Sequence, residues 1–157
     1  MAEIASVATL ANYLTDGYWQ APGAKTGNAY PPHHFDHTHL TYSTSLLAGP
    51  TADQHRTLIR EALQQWSDVC GVTFTEVAMG GELVFTNNYA GTTAGAIPNF
   101  EAPFGQPLHY VGSTIAINEG FAARGGFLLA GNTFDTYVHE IGHALGLGHL
   151  GPYNVGV

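Results

Sequence analysis

The segment "HEIGHALGLGH" at residues 139–149 constrains the fold more than any other part of the sequence. His139 and His143 are four residues apart, so on an α-helix they lie one turn apart on the same face and can bind one metal ion. His149 can join them only if the helix ends and the chain bends back. Gly146 is the predicted bend, because glycine readily adopts the left-handed conformation that ends helices. The segment therefore predicts a helix, a sharp turn and a three-histidine metal site.

A carboxylate lies next to the first of these histidines. Three neutral imidazoles are typical ligands of a catalytic Zn²⁺ ion, which keeps an open position for water. Glu140 is predicted to lie at the edge of this site, because it directly follows His139. There it can accept a proton from a zinc-activated water that attacks a carbonyl, and can pass the proton to the leaving amine. The motif therefore predicts a hydrolytic zinc site with Glu140 as the general base.

The residues around the motif favour a helix. Asn132 or Thr133 is predicted to cap its start, and Asp135 lies in its first turn. The predicted buried side chains of this active-site helix are Tyr137, Val138, Ile141, Ala144 and Leu145.

Two further helices are predicted. The longer one covers "GPTADQHRTLIREALQQWSDVCG", because Thr51 and Gln54 fit a capping box and Gly71 can end the run. A shorter helix is predicted between Ile4 and Leu14. The apolar face of the long helix consists of Leu58, Ile59, Ala62, Leu63, Trp66 and Val69.

Five segments have the composition of strands: "LTYSTSL", "VTFTEV", "ELVFTNN", "TTAGAIPNF" and "STIAIN". Their order among the helices predicts an α+β fold with a twisted mixed sheet of about five strands and helices on one face. The active-site helix and the long backing helix are expected to cover that face.

Composition limits the partners of the chain. The formal net charge of the 157-residue chain is −8, and its four basic residues are scattered, which argues against a nucleic-acid or anionic-membrane partner. No apolar run approaches the length of a membrane span, and the N-terminus does not read as a cleaved signal peptide. The length predicts a single domain.

The remaining histidines and the single cysteine have simpler interpretations. The segment "PPHHFDHTH", with His33, His34, His37 and His39, could form a second metal site, but its prolines favour a solvated loop. His55 and His109 are isolated and are predicted to be structural or exposed. Cys70 cannot form an intramolecular disulfide and is predicted to be a small buried side chain.

Four segments carry a family resemblance: "TYVHEIGHALGLGHLGPYN", "LANYLTDGYW", "LTYSTS" and "ALQQWSDVCGVTFTEV". They look like parts of the serralysin-type metzincins, a family of secreted bacterial zinc endopeptidases. In the order given, they resemble the zinc-site region, the opening helix, the first strand, and the first long helix together with the second strand. The resemblance implies zinc on His139, His143 and His149, with Glu140 as base. It also implies a protein or peptide substrate and an extracellular location.

The resemblance further implies an antiparallel edge strand beside the cleft that pairs with extended substrate backbone. The best candidate is "TTAGAIPNF" around Gly95 and Ala96, because small residues allow close approach of a peptide. An ordinary strand or loop is the alternative interpretation of these residues.

The sequence departs from the family pattern after the motif. The methionines are Met1 and Met79, so the methionine-bearing turn of metzincins has no counterpart after His149, and the calcium-binding repeats associated with the family are absent. We therefore expect residues 1–39 to be a helix and irregular lead-in. Residues 40–157 are expected to be the upper part of a peptidase domain, truncated after the third ligand, with the lower subdomain missing.

These departures leave alternatives open. The chain could be a zinc-binding but catalytically inactive module, or a matrixin-like enzyme. Loss of a lower half is expected to leave Ile141 and Leu145 partly exposed. Self-association, or pairing with the missing C-terminal half, would then cover them.

Overall fold

The computed structural model describes residues 6–18, 33–101 and 109–149. The elements, in chain order, are α1 Val7–Asn12, a π-helical turn Tyr13–Gly17, β1 His39–Leu46, α2 Ala52–Cys70, β2 Thr73–Glu76, β3 Leu83–Thr86, β4 Ala94–Glu101, β5 His109–Ile117, α3 Glu119–Gly125 and α4 Asn132–Ala144. This arrangement confirms the predicted α+β class with a mixed five-stranded sheet. The proposed boundary between residues 39 and 40 stays a prediction.

The sheet is mostly parallel, with one antiparallel strand at its edge. The strand order is β2-β1-β3-β5-β4. Strand β1 runs parallel to β2 and β3, and β3 runs parallel to β5. Strand β4 pairs antiparallel with β5, with Ala96 opposite Ile115. The outer edge of β4 therefore faces away from the other strands that the structure describes.

Helices α2 and α4 pack together on the sheet. In α2 the buried positions Leu58, Ile59, Ala62 and Leu63 recur at helical spacing, and Gly71 ends the helix at φ 70°. In α4 the buried side chains include Tyr137 and Ile141. They meet Phe85, Ile115 and Ile117 of the sheet in one core. Burial of each such large apolar side chain contributes about 1.5–3 kcal/mol.

The last turn of α2 lies outside this core. Val69 is 76% exposed, and Cys70 is exposed as well, so both predictions of burial are wrong. The thiol of Cys70 donates to the carbonyl of Trp66 at 2.9 Å. Helical periodicity shows which side of α2 is apolar, but the helix continues beyond the packing surface.

Both predicted helix caps are wrong. Thr51 precedes α2 with helical angles of φ −98° and ψ −1°, so its side chain makes no cap bond and instead donates to Glu119 at 2.5 Å. Gly131, not a polar residue, precedes α4. The Thr133 hydroxyl donates to the carbonyl of Ala122 at 3.1 Å. These hydroxyls connect separate elements rather than capping their own helices.

Three other expectations can be compared with the structure. Ile141 is fully buried, so its predicted exposure is wrong, whereas Leu145 is half-buried. His33 is only 6% exposed and packs on Tyr110, so the predicted solvated loop is wrong for this residue, although His34, His37 and His39 are exposed. Among the described residues, no helix is long and apolar enough to cross a membrane.

Candidate metal centre and active site

Helix α4 holds the first two histidines in place. Its buried face packs against the sheet, which leaves His139 exposed and His143 half-buried along a neighbouring face. The indole nitrogen of Trp66 on α2 donates to the carbonyl of Val138 at 3.0 Å. The same indole lies over Gly142, where an added Cβ would come within 3.0 Å of the ring. Gly142 therefore lets α2 approach α4 directly beside the histidines.

The turn after α4 brings the third histidine back. Gly146 has φ 101°, which confirms the predicted left-handed bend. A side chain there would also overlap the carbonyl of His33. The amide of Leu147 then donates to the carbonyl of Gly142 at 3.0 Å. This turn places His149 opposite the two helical histidines.

The three imidazoles converge through their Nε2 atoms. The Nε2 of His143 lies 3.0 Å from that of His139 and 3.0 Å from that of His149, and the third separation is 3.2 Å. Three nitrogens bound tetrahedrally to one Zn²⁺ at about 2.0–2.1 Å lie about 3.3 Å apart. The donor atoms therefore fit a single zinc ion with little movement.

Hydrogen bonding and burial keep the histidines ready for a metal. The Nδ1 of His143 donates to the carbonyl of Leu147 at 2.7 Å, and because a carbonyl can only accept, Nε2 carries the lone pair. Burial lowers the pKa of His143 to about 4, and it also lowers the pKa values of His139 and His149. Neutral imidazole is the form that binds metal.

The Glu140 carboxylate lies beside this cluster, in a largely buried position. Glu140 is 9% exposed, and burial raises the pKa of its carboxyl to about 7, although the nearby backbone of Ala96 acts in the opposite direction. Ala96 belongs to the edge strand β4. The edge strand, the carboxylate and the three histidines therefore form one continuous site.

A cleft of about 440 Å³ opens next to Glu140 and His139. The exposed Asp135 lies one turn before His139 on the same face of α4. The other lining residues are Thr93, Ala94, Phe121, Asn132 and Thr136. The cleft has room for a side chain of a bound molecule beside His139 and Glu140.

The structure brings most of the predicted site residues together. The three histidines meet, Glu140 lies beside His139, and the backbone of Ala96 lies near enough to affect the pKa of Glu140. Gly95 lies in the same edge strand, where an added Cβ would come within 3.2 Å of the Tyr89 hydroxyl. Sequence reasoning did not assign Asp135 to the site, although its spacing of four from His139 could have shown it.

A three-histidine cluster with an adjacent carboxylate, on a helix packed against a mixed sheet, is the arrangement of a metal-dependent hydrolase. The model of the matrixin family, peptidase family M10, matches residues 34–153. Because this match covers more than half of the chain, the chain belongs to the matrixin family of peptidases.

Individual relatives give a consistent comparison. Metalloprotease AprA of Pseudomonas entomophila (strain L48) is 39% identical over 97 residues, covering 60% of this chain and 20% of that protein. Serralysin of Proteus mirabilis is 34% identical over 121 residues, covering 62% of this chain and 22% of that protein. Interstitial collagenase of Oryctolagus cuniculus is 30% identical over 125 residues, covering 73% of this chain and 26% of that protein. The serralysin-type metzincin resemblance is confirmed, and the chain spans about a fifth of the length of the first of these relatives.

Proposed function

We propose that this chain carries the zinc-binding and general-base part of a metalloendopeptidase that hydrolyses peptide bonds. The observation that carries the proposal is the convergence of three Nε2 atoms within 3.2 Å of one another, beside a largely buried carboxylate. In this proposal His139, His143 and His149 hold the zinc ion. When bound, zinc supplies a Lewis acid that polarises the scissile carbonyl and lowers the pKa of water.

Glu140 is the proposed general base. Its carboxylate takes a proton from the attacking water and returns that proton to the nitrogen of the leaving amine. Its place between His139 and the edge strand supports this role, because the proton must move between the water and the scissile bond. The backbone of Ala96 in that strand lies close enough to the carboxyl to lower its pKa against the effect of burial.

The edge strand β4 is the proposed binding site for the substrate backbone. Its outer edge has no strand partner among the described residues, and a peptide can add to such an edge through backbone hydrogen bonds. We assign Gly95 and Ala96 to this contact. Ala96 is the closer of the two to the chemistry, since its backbone influences the pKa of Glu140. The substrates are therefore extended, unstructured protein segments or peptides, met outside the cell if the location follows the family resemblance.

The proposal is tested by measuring bound zinc and proteolysis on the same preparations. We expect about one zinc per chain and cleavage of a reduced, alkylated protein. Glu140→Gln should keep the zinc and lose about 10²–10⁴-fold in rate, the usual contribution of a general base. The matched control is Glu61→Gln, which removes an exposed carboxylate on α2 and should change neither quantity.

Two outcomes would contradict the proposal in different ways. Absence of bound zinc would remove the metal site itself. One zinc per chain with no cleavage that depends on Glu140 would instead identify a zinc-binding module without catalysis.

A further inference from the structure

The first described segment of the chain, residues 6–18, contacts the turn that carries the third histidine. The amide of Gly148 donates to the carbonyl of Leu14 at 2.7 Å. The Tyr18 ring lies so close to Gly148 that an added Cβ there would overlap it. The same ring meets His149 edge-on, with ring centroids 5.4 Å apart. The two contacts on Gly148 hold its backbone on both sides, immediately before His149.

These contacts occur where the segment would otherwise be weakly held. Helix α1 has no buried residue, and Val7 is 85% exposed. Tyr18, at the other end of the segment, is half-buried. The C-terminal end of the segment is therefore more buried than its N-terminal end. It contacts the candidate metal centre.

The chemistry of the contact matches what a ligand histidine needs. The Tyr18 hydroxyl lies 3.3 Å from Nδ1 of His149, on the side of the ring opposite the converging Nε2 atoms. A histidine that binds metal through Nε2 carries its proton on Nδ1 and donates it to a neighbouring acceptor. The Tyr18 oxygen can accept this hydrogen bond. Leu147 does the same for His143 through its carbonyl.

We infer that Tyr18 is a positioning residue for the metal centre, which fixes the ring orientation and tautomer of His149. This inference rests on the proposed zinc site. It gives residues 6–18 a role in metal retention, because they supply an acceptor for the one ligand that lies outside helix α4.

The test is Tyr18→Phe, which keeps the ring against Gly148 and removes only the hydroxyl. The control is Tyr13→Phe on the same turn, whose ring packs on Gly17. The zinc Kd is measured by competition with a chromophoric chelator, and the visible spectrum of the cobalt-loaded chain reports on coordination geometry. We expect Tyr18→Phe to raise the Kd about tenfold, at the lower end of the effect of such partners, and to shift the cobalt bands. Tyr13→Phe should leave both unchanged.

Other outcomes separate this inference from the site that it builds on. Failure of the unaltered chain to bind zinc would overturn the proposed function. Zinc binding by the unaltered chain, with an unchanged Kd and cobalt spectrum in Tyr18→Phe, would overturn only the role of Tyr18. A loss of thermal stability in the zinc-free Tyr18→Phe chain, with no shift of the cobalt bands in the metal-loaded variant, would also overturn it. The hydroxyl would then serve folding alone.

Discussion

Substitution of Tyr137 by phenylalanine tests the buried hydrogen bonds that join α2, α3 and α4. Tyr137 is fully buried, and its hydroxyl lies 2.7 Å from Nδ1 of the equally buried His55. The opposite nitrogen of His55 donates to Glu119 at 3.0 Å, so Nδ1 is the acceptor and Tyr137 is the donor. Burial raises the pKa of Tyr137, which keeps that donor proton in place.

The expected cost follows from what is left behind. Phenylalanine fills nearly the same volume, so Tyr137→Phe creates little cavity but leaves the buried Nδ1 of His55 without a donor. A buried acceptor left without a donor lowers the free energy of unfolding by about 1–3 kcal/mol. For a chain of this size each kcal/mol lowers Tm by about 2–4 °C. The Glu119 side chain is 42% exposed and can bind water instead of His55. Removal of His55 therefore leaves mainly the Tyr137 hydroxyl without a hydrogen-bond partner.

Urea unfolding with the metal removed by chelator measures this cost without a contribution from zinc binding. His55→Leu and the double variant complete a cycle, in which we expect a coupling of about 0.5–3 kcal/mol. The reasoning is refuted if Tyr137→Phe changes the free energy of unfolding by less than about 0.5 kcal/mol. Strict additivity of the two single variants would refute it as well.

Four other predictions concern pH, the turn, the cleft and the edge strand. Burial lowers the pKa of His55 from 6.5, so the folded chain keeps it neutral where the unfolded chain protonates it. The contribution of neutral His55 to the stability of the zinc-free chain should be complete above pH 6.5 and be lost as the pH falls below it, and unfolding curves of His55→Gln should decline less steeply over that range than those of the unaltered chain. Gly146→Ala should cost at least about 1–2 kcal/mol in urea unfolding and weaken zinc binding in chelator competition, because φ is 101° and the added Cβ meets His33. Asp135→Asn should lower kcat/KM about two- to fivefold for peptides with a cationic residue next to the scissile bond, the scale of an exposed ion pair, and leave neutral peptides unchanged. N-methylation of alternate backbone amides of a peptide substrate should raise KM if the peptide pairs with β4, whereas methylation of the intervening amides should have little effect; equal effects at all positions would contradict the pairing.

The sequence is most informative where the structure depends on neighbours in the chain. His139 and His143 share a face because they are one helical turn apart, and Gly146 ends the helix because of its backbone freedom. Both features were predicted correctly. The strand order was not predicted, but the strand segments were, and so were the apolar faces of the helices apart from the last turn of α2, because periodicity shows which side of an element is apolar.

Contacts between distant residues account for most of what the sequence did not show. Thr51 binds Glu119 across 68 positions instead of capping its own helix. Tyr18 reaches His149 across 131 positions, and no local pattern marks that contact. The apolar face before Cys70 predicts a buried thiol, but only the folded structure shows that α2 extends past the sheet. Such outcomes depend on how the elements pack rather than on local preference.

X-ray absorption at the zinc edge tests the central claim most directly. The zinc-loaded chain is predicted to show three imidazole nitrogens at about 2.0–2.1 Å and no sulfur. His143→Ala should abolish this signature, whereas Cys70→Ser should leave it intact. A sulfur ligand at about 2.3 Å, or fewer than three imidazoles per zinc, would contradict the assignment of His139, His143 and His149 as the metal centre.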